Sequence, residues 1–184
     1  MMTLSLTPAV ETLMRDVARD IVMPRFQNLA AHEVSEKADA NDLVTIADKE
    51  SEIALSEGLL RILPDAGVIG EEAAAADPSV LDRAGDGLNW IIDPIDGTGN
   101  FAAGRAPFGL MVALVDAGQI LGGWIFDPLG NRICHAARGQ GAFVNGERVT
   151  ARESDAALPV AALAVYFMAP ELRADIAARS QGVF

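Results

Sequence analysis

The stretch W-I-I-D-P-I-D-G-T-G-N-F, residues 90–101, constrains this chain more than any other. An apolar segment, Leu88 to Ile92, reads as a short strand and runs directly into two aspartates, Asp93 and Asp96. Pro94 separates them, and Gly97, Thr98, Gly99 and Asn100 follow. Asp-Gly is among the strongest local turn signals, so a plain hairpin turn is one reading. The other is a pair of carboxylates delivered to the edge of a core, facing one point if the backbone bends at Pro94. The Ile95 carbonyl between them would then be a third oxygen donor.

Elsewhere the periodicities define a layered α+β fold. Thr7-Pro8 predicts a helix start, with an N-cap followed by proline at the first helical position. Val10, Leu13, Met14, Val17, Ile21 and Val22 then form one apolar face, and Pro24 is expected to kink or end the helix. The polar segment from His32 to Val44 reads as loop or irregular strand. A second helix is predicted from Thr45, with Asp48 completing a capping box, Gly58 weakening it and Pro64 closing it. From Val68 the period changes to that of strands. Glu71-Glu72 reads as a strand end, and the alanines at 73–76 with Asp77-Pro78 as a mobile surface loop.

Turn signals at D-A-G (116–118), P-L-G-N (128–131) and N-G (145–146) divide residues 108–149 into an antiparallel meander. An apolar strand at 160–167 and a helix from Pro170 to Arg179 follow. The expected organisation is two N-terminal helices on a largely antiparallel sheet in residues 1–155, with a second α/β domain beginning at 156–184.

Composition narrows the function. The 184 residues carry 26 acids against 14 Lys and Arg, a formal net charge of −12. That balance supplies no basic patch for nucleic acid or an anionic membrane. It suits carboxylates gathered around a cation, although a plain acidic surface is the commoner cause of such a charge. Cys134 is the single cysteine, which rules out an internal disulfide and a thiolate metal cluster and fits a cytoplasmic setting. The N-terminus lacks the pattern of a signal peptide, and the apolar run at 160–169 is about half the length needed to cross a bilayer.

Asp48, Glu71, Glu72, Asp93 and Asp96 all adjoin apolar segments. Like charges held together at a core edge repel unless a cation neutralises them, and hard cations such as Mg²⁺ take oxygen ligands. Taken singly, Asp48 is a helix cap and Glu71-Glu72 a solvated pair. Gly97-Thr98-Gly99-Asn100 would open a short helix whose N–H groups suit phosphate. Carboxylates beside such a helix spell phosphate-ester chemistry. A calcium loop of the EF-hand kind fails, because its alternating acids and closing glutamate are absent. A haloacid-dehalogenase nucleophile also fails: in P-I-D-G-T, Pro94 occupies the place of the attacking aspartate.

Three motifs in order, D-L-V-T-I-A-D (42–48), G-E-E (70–72) and the 90–101 stretch, resemble the inositol monophosphatase family of Mg²⁺-dependent, lithium-sensitive phosphatases. R-G-Q-G-A-F-V-N-G (138–146), after G-W-I-F-D-P (123–128), resembles the family's mid-chain hairpins, so the likeness runs from about residue 37 to 150. The resemblance implies the layered sandwich of the inositol monophosphatase/fructose-bisphosphatase type and a homodimer. Glu71, Asp93 and the Ile95 carbonyl would hold one metal, Asp93 and Asp96 a second, with Glu72 a weaker or outlying ligand. Asp48 and Thr98 would orient and deprotonate the attacking water, and Gly97 and Thr98 would cradle phosphate, with Asp96 also meeting the substrate. Lys37 resembles a lysine near the metals. The implied mechanism has a metal-activated water attacking phosphorus in line, with no phosphoenzyme.

The implied substrate is a small polyol phosphate such as inositol 1-phosphate; histidinol phosphate, fructose 1,6-bisphosphate and 3′-phosphoadenosine 5′-phosphate are the alternatives. His32 and His135 sit in no motif, and Cys134 reads as a strand or core residue. Two departures stand out. Gly99 replaces a second threonine, and the family's C-terminal W-D motif, which adds an aspartate to the second metal, has no counterpart here. The chain is therefore expected to correspond to the N-terminal part of a family member. As such it would bind Mg²⁺ weakly and hydrolyse inositol 1-phosphate poorly, or only bind metal.

Overall fold

The computed structural model describes residues 2–36, 43–151 and 168–180. Two units divide the chain, Met1–Thr150 and Ala151–Phe184. In the first, helix α1 (Met2–Val17) continues through a π-helical turn, Ala18–Val22, and a last turn, Met23–Arg25. β1 (Val34–Glu36) pairs antiparallel with β2 (Leu43–Thr45), and α2 (Ile46–Ile62) follows at once. β3 (Gly67–Gly70) leads into α3 (Glu71–Ala76) and a 3₁₀ segment, Pro78–Gly85.

β4 (Leu88–Asp96), α4 (Thr98–Ala102), β5 (Gly109–Asp116), β6 (Gln119–Asp127), β7 (Arg132–Ala137), β8 (Gly141–Val144) and β9 (Glu147–Val149) complete the unit. The sheet order is β3-β4-β5-β6-β7-β8-β9; only the β3–β4 pair is parallel. The expected α+β layering and meander are present. In the second unit the described element is α5 (Pro170–Ser180). The strand expected at 160–167 and Lys37 lie outside the described residues.

The core lies between α1, α2 and one face of the sheet. Val10, Met14, Leu55, Leu59, Trp90, Ile92, Leu110, Leu114 and Trp124 are buried there. Fully burying each such side chain contributes about 1.5–3 kcal/mol. Gly58 belongs to this packing: a Cβ on it would lie 2.3 Å from Leu13 Cδ1, so the glycine permits close approach of α1 and α2. The opposite face carries Ile91, Asp93, Met111, Ala113, Ile125 and Cys134, joined by strand register. Ile125 is 51% exposed there, and a groove of about 1020 Å³ runs over the face. Among the described residues no helix is long and apolar enough to cross a membrane.

Two sequence expectations are corrected. Thr7 does not cap a helix; α1 starts at Met2 and contains Pro8. Thr7 is buried, donates to the Thr3 carbonyl and accepts from the Trp124 indole at 3.3 Å, so packing on β6 outweighs the local cap signal. The alanines 73–76 are helical, not a loop, and Glu71-Glu72 opens that helix. Alanine is the strongest helix former, and a carboxylate from α2 supplies the missing cap.

Candidate active site

Strand β4 brings Asp93 and Asp96 to one side by breaking its own alternation. In a regular strand residues three apart point to opposite faces. Here three steps on β4, Asp93 to Asp96, oppose two steps on β5, Met111 to Gly109. Pro94 and Ile95 are both buried while Asp96 is exposed. The extra residue is a β-bulge, which re-aims Asp96 toward the side that Asp93 already faces. Pro94 fits because a bulge position leaves no ladder hydrogen bond for its absent N–H.

Gly97 turns the chain from β4 into α4 with φ +82°, ψ 34°, in the left-handed region. Its Cα also lies against the next loop, since a Cβ there would meet the Pro107 carbonyl at 2.9 Å. The N–H groups of Thr98 and Gly99 precede the first intrahelical bond, from Asn100 N to Gly97 O at 2.9 Å. Phe101 and Phe108, 5.2 Å apart and both buried, anchor α4, and Phe26 completes the cluster.

Asp48 sits in the first turn of α2 and is fully buried. Its Oδ2 accepts the Thr45 N–H at 2.8 Å and the Thr45 hydroxyl, forming the capping box foreseen from sequence. Its Oδ1 faces Thr98 Oγ1 at 3.0 Å. Thr98 also donates to the Ile95 carbonyl at 2.9 Å, so one hydroxyl proton serves two acceptors. Burial pushes the Asp48 carboxyl up from its usual range, while the bonds from Thr45 and Thr98 oppose the shift.

Asp93 is pushed up to about 7, first by burial and then by the negative charge of Glu71, a hydrogen bond with it, and the charges of Asp96 and Asp48. Its Oδ1 is buried with no hydrogen-bond partner among the described residues. The structure thus joins Glu71, Asp93, Asp96 and Asp48 in one electrostatic neighbourhood. Among the described residues it does not gather three His, Cys, Asp or Glu side chains into a metal-holding cluster. The donors nonetheless suit a hard cation: all are oxygens, Asp93 Oδ1 is orphaned, and the Ile95 carbonyl keeps a second lone pair.

Glu72 enters through its backbone, whose N–H bonds to Glu52. Glu52 is the residue that sequence reasoning missed. Its visible signal is the i, i+4 spacing from Asp48 on a helix whose Leu55 and Leu59 face the core. Outside this neighbourhood, His135 Nδ1 pairs with Glu11 at 3.0 Å and its ring stacks on Phe143.

Fold and site together define a layered α+β protein with carboxylates at the bulged end of a strand, beside a glycine-opened helix. A model of the inositol monophosphatase family matches residues 4–175. A fructose-1,6-bisphosphatase/inositol-1-monophosphatase of Aquifex aeolicus is 31% identical over 135 residues, covering 73% of this chain and 48% of that protein. An inositol-1-monophosphatase of Rhizobium meliloti is 38% identical over 136 residues, covering 73% and 47%. The solved structure of a Thermotoga maritima IMPase superposes with a TM-score of 0.68 at 30% identity, covering 83% of this chain and 55% of that one. The chain belongs to the inositol monophosphatase family. It spans about half the length of the curated relatives it matches.

Proposed function

We propose that this chain is a Mg²⁺-dependent phosphomonoesterase acting on a small polyol phosphate such as inositol 1-phosphate. The observation that carries the reading is the buried Asp48 Oδ1 facing Thr98 Oγ1 at 3.0 Å, at the first residue of a helix that follows two carboxylates. Glu71, Asp93, Asp96 and the Ile95 carbonyl would hold Mg²⁺, with Glu72 close by. When bound, the cation supplies charge neutralisation at the phosphoryl oxygens and acidifies a water.

The chain's own residues do the rest. Thr98 Oγ1 accepts a hydrogen bond from the attacking water, and Asp48 takes up the proton at the far end of the pair. The N–H groups after Gly97 face the phosphate oxygens, and Asp96 lies beside the substrate. Residues 1–155 carry this site, and 156–184 begin a second α/β domain. A cytoplasmic homodimer inhibited by lithium completes the reading. Its partners are small phosphorylated molecules, with no role for nucleic acid or membrane in view of the −12 net charge.

The test is phosphate release against Mg²⁺ concentration. Inositol 1-phosphate is compared with histidinol phosphate, fructose 1,6-bisphosphate and 3′-phosphoadenosine 5′-phosphate. Mg²⁺-dependent turnover that disappears in Asp93→Asn supports the reading. Turnover that is indifferent to both Mg²⁺ and Asp93 sinks it. A second reading, metal binding without turnover, takes its support from the chain's span of about half the length of the curated relatives it matches. It predicts calorimetric Mg²⁺ binding with no phosphate release above background from any of the four esters.

A further inference from the structure

Asp48 and Glu52 lie one turn apart on α2, and their carboxylates serve different segments of the site. Asp48 reaches Thr98 on α4. Glu52, only 8% exposed, turns to α3: Oε2 accepts the Glu72 N–H at 2.7 Å and Oε1 accepts the Ala73 N–H at 2.9 Å. These belong to the first turn of α3, where no intrahelical carbonyl is available to a donor. A six-residue helix cannot sustain itself by its own hydrogen bonds.

Its N-cap, Gly70, has extended dihedrals (φ −101°, ψ 155°) and no side chain to offer. A Cβ at Gly70 would lie 2.2–2.5 Å from the Glu52 carboxylate atoms. The space for a self-capping Ser or Asp is therefore filled from another helix. The carboxylate of Glu52 and the bareness of Gly70 form one device.

We propose that Glu52 is a positioning residue for the metal-holding carboxylates, an inference that rests on the phosphatase reading above. By closing the first turn of α3 it holds Glu71 within hydrogen-bonding reach of Asp93. One helix thus sets both parts of the site, the proton-handling pair through Asp48 and the carboxylate pair through Glu52. The two-pronged geometry demands glutamate. Gln presents one oxygen and one NH₂, so an N–H would face an N–H, and Asp is one methylene short.

Three readouts test this on the full chain: calorimetric Mg²⁺ affinity, Mg²⁺-dependent phosphate release, and amide hydrogen exchange at Glu72 and Ala73. Circular dichroism confirms folding. In Glu52→Gln the two amides are expected to exchange faster, and the Mg²⁺ Kd to rise about tenfold or more, the range for residues that orient metal ligands. KM for inositol 1-phosphate should stay within about twofold, since the contact is with ligand-bearing backbone and not substrate. Gly70→Ala leaves Glu52 in place but drives a Cβ into its carboxylate. It is expected to reproduce both effects, and it serves where Glu52→Gln does not fold.

Unchanged exchange and unchanged Mg²⁺ affinity in a folded variant, while Asp93→Asn loses binding, overturn the positioning role and leave the phosphatase reading standing. Faster exchange in Glu52→Gln, with Mg²⁺ affinity identical in the unsubstituted chain and Asp93→Asn, overturns the phosphatase reading and the metal-positioning role with it. The structural cap would then be all that Glu52 provides.

Discussion

Thr98 Oγ1 stands 3.0 Å from Asp48 Oδ1 although 50 residues separate them in the chain. The contact couples the buried cap of α2 to the first residue of α4, so a substitution at either end disturbs both. Thr98→Ala is expected to lower kcat by about 10²–10⁴-fold, the usual contribution of a positioned proton acceptor. Asp48→Asn should act similarly. The double variant should be little worse than either single one, because the two act as a unit. Steady-state kinetics on the three variants check this. Full additivity would show that the pair does not work together.

Asp93 imposes a pH dependence of definite sign. Its folded pKa, about 7, lies above the ordinary value of 3.8, so the protonated form is the one the fold favours. Its contribution to stability is present in full below about pH 4 and is lost as pH rises through about 7. In excess chelator, Tm is expected to fall between pH 5 and 8 more steeply for the unsubstituted chain than for Asp93→Asn. Saturating Mg²⁺ should flatten the difference. Thermal melts across that range decide it, and parallel curves would count against the electrostatic account.

Gly97 combines a positive φ with a close approach to the Pro107 carbonyl. A side chain there costs about 1–2 kcal/mol for the left-handed conformation alone, before the 2.9 Å contact is counted. Gly97→Ala should therefore lower the denaturant midpoint without changing the m-value, and should reduce turnover by shifting Thr98. Urea titration and phosphate release measured on the same preparation test both effects.

The open sheet face predicts dye binding. Ile125 is 51% exposed and Ile91 36% exposed on one continuous apolar surface. Patches of this kind bind hydrophobic probes and promote association. Ile125→Thr is expected to lower anilinonaphthalene sulfonate fluorescence while changing stability by no more than about 0.5 kcal/mol, as for other exposed sites. Unchanged fluorescence would place the dye site elsewhere.

Local chemistry was legible in the residues themselves. The Thr45/Asp48 capping box, the hairpin at Asn145-Gly146, the strand ending at Asp93-Asp96 and the Gly97 turn each depend on neighbours within a few positions. The sequence alone therefore determined which carboxylates sit at element ends and where the chain reverses. The tertiary structure decided where those groups point. Thr7 resembled a cap until packing against Trp124 placed it inside α1. The alanines 73–76 resembled a loop because their cap, Glu52, comes from another helix. The bulge that turns Asp96 to the side of Asp93 appears only against β5, and the Asp48–Thr98 contact only when α2 meets α4. Propensity and capping act over one helical turn, whereas burial and strand register depend on partners that no local stretch contains.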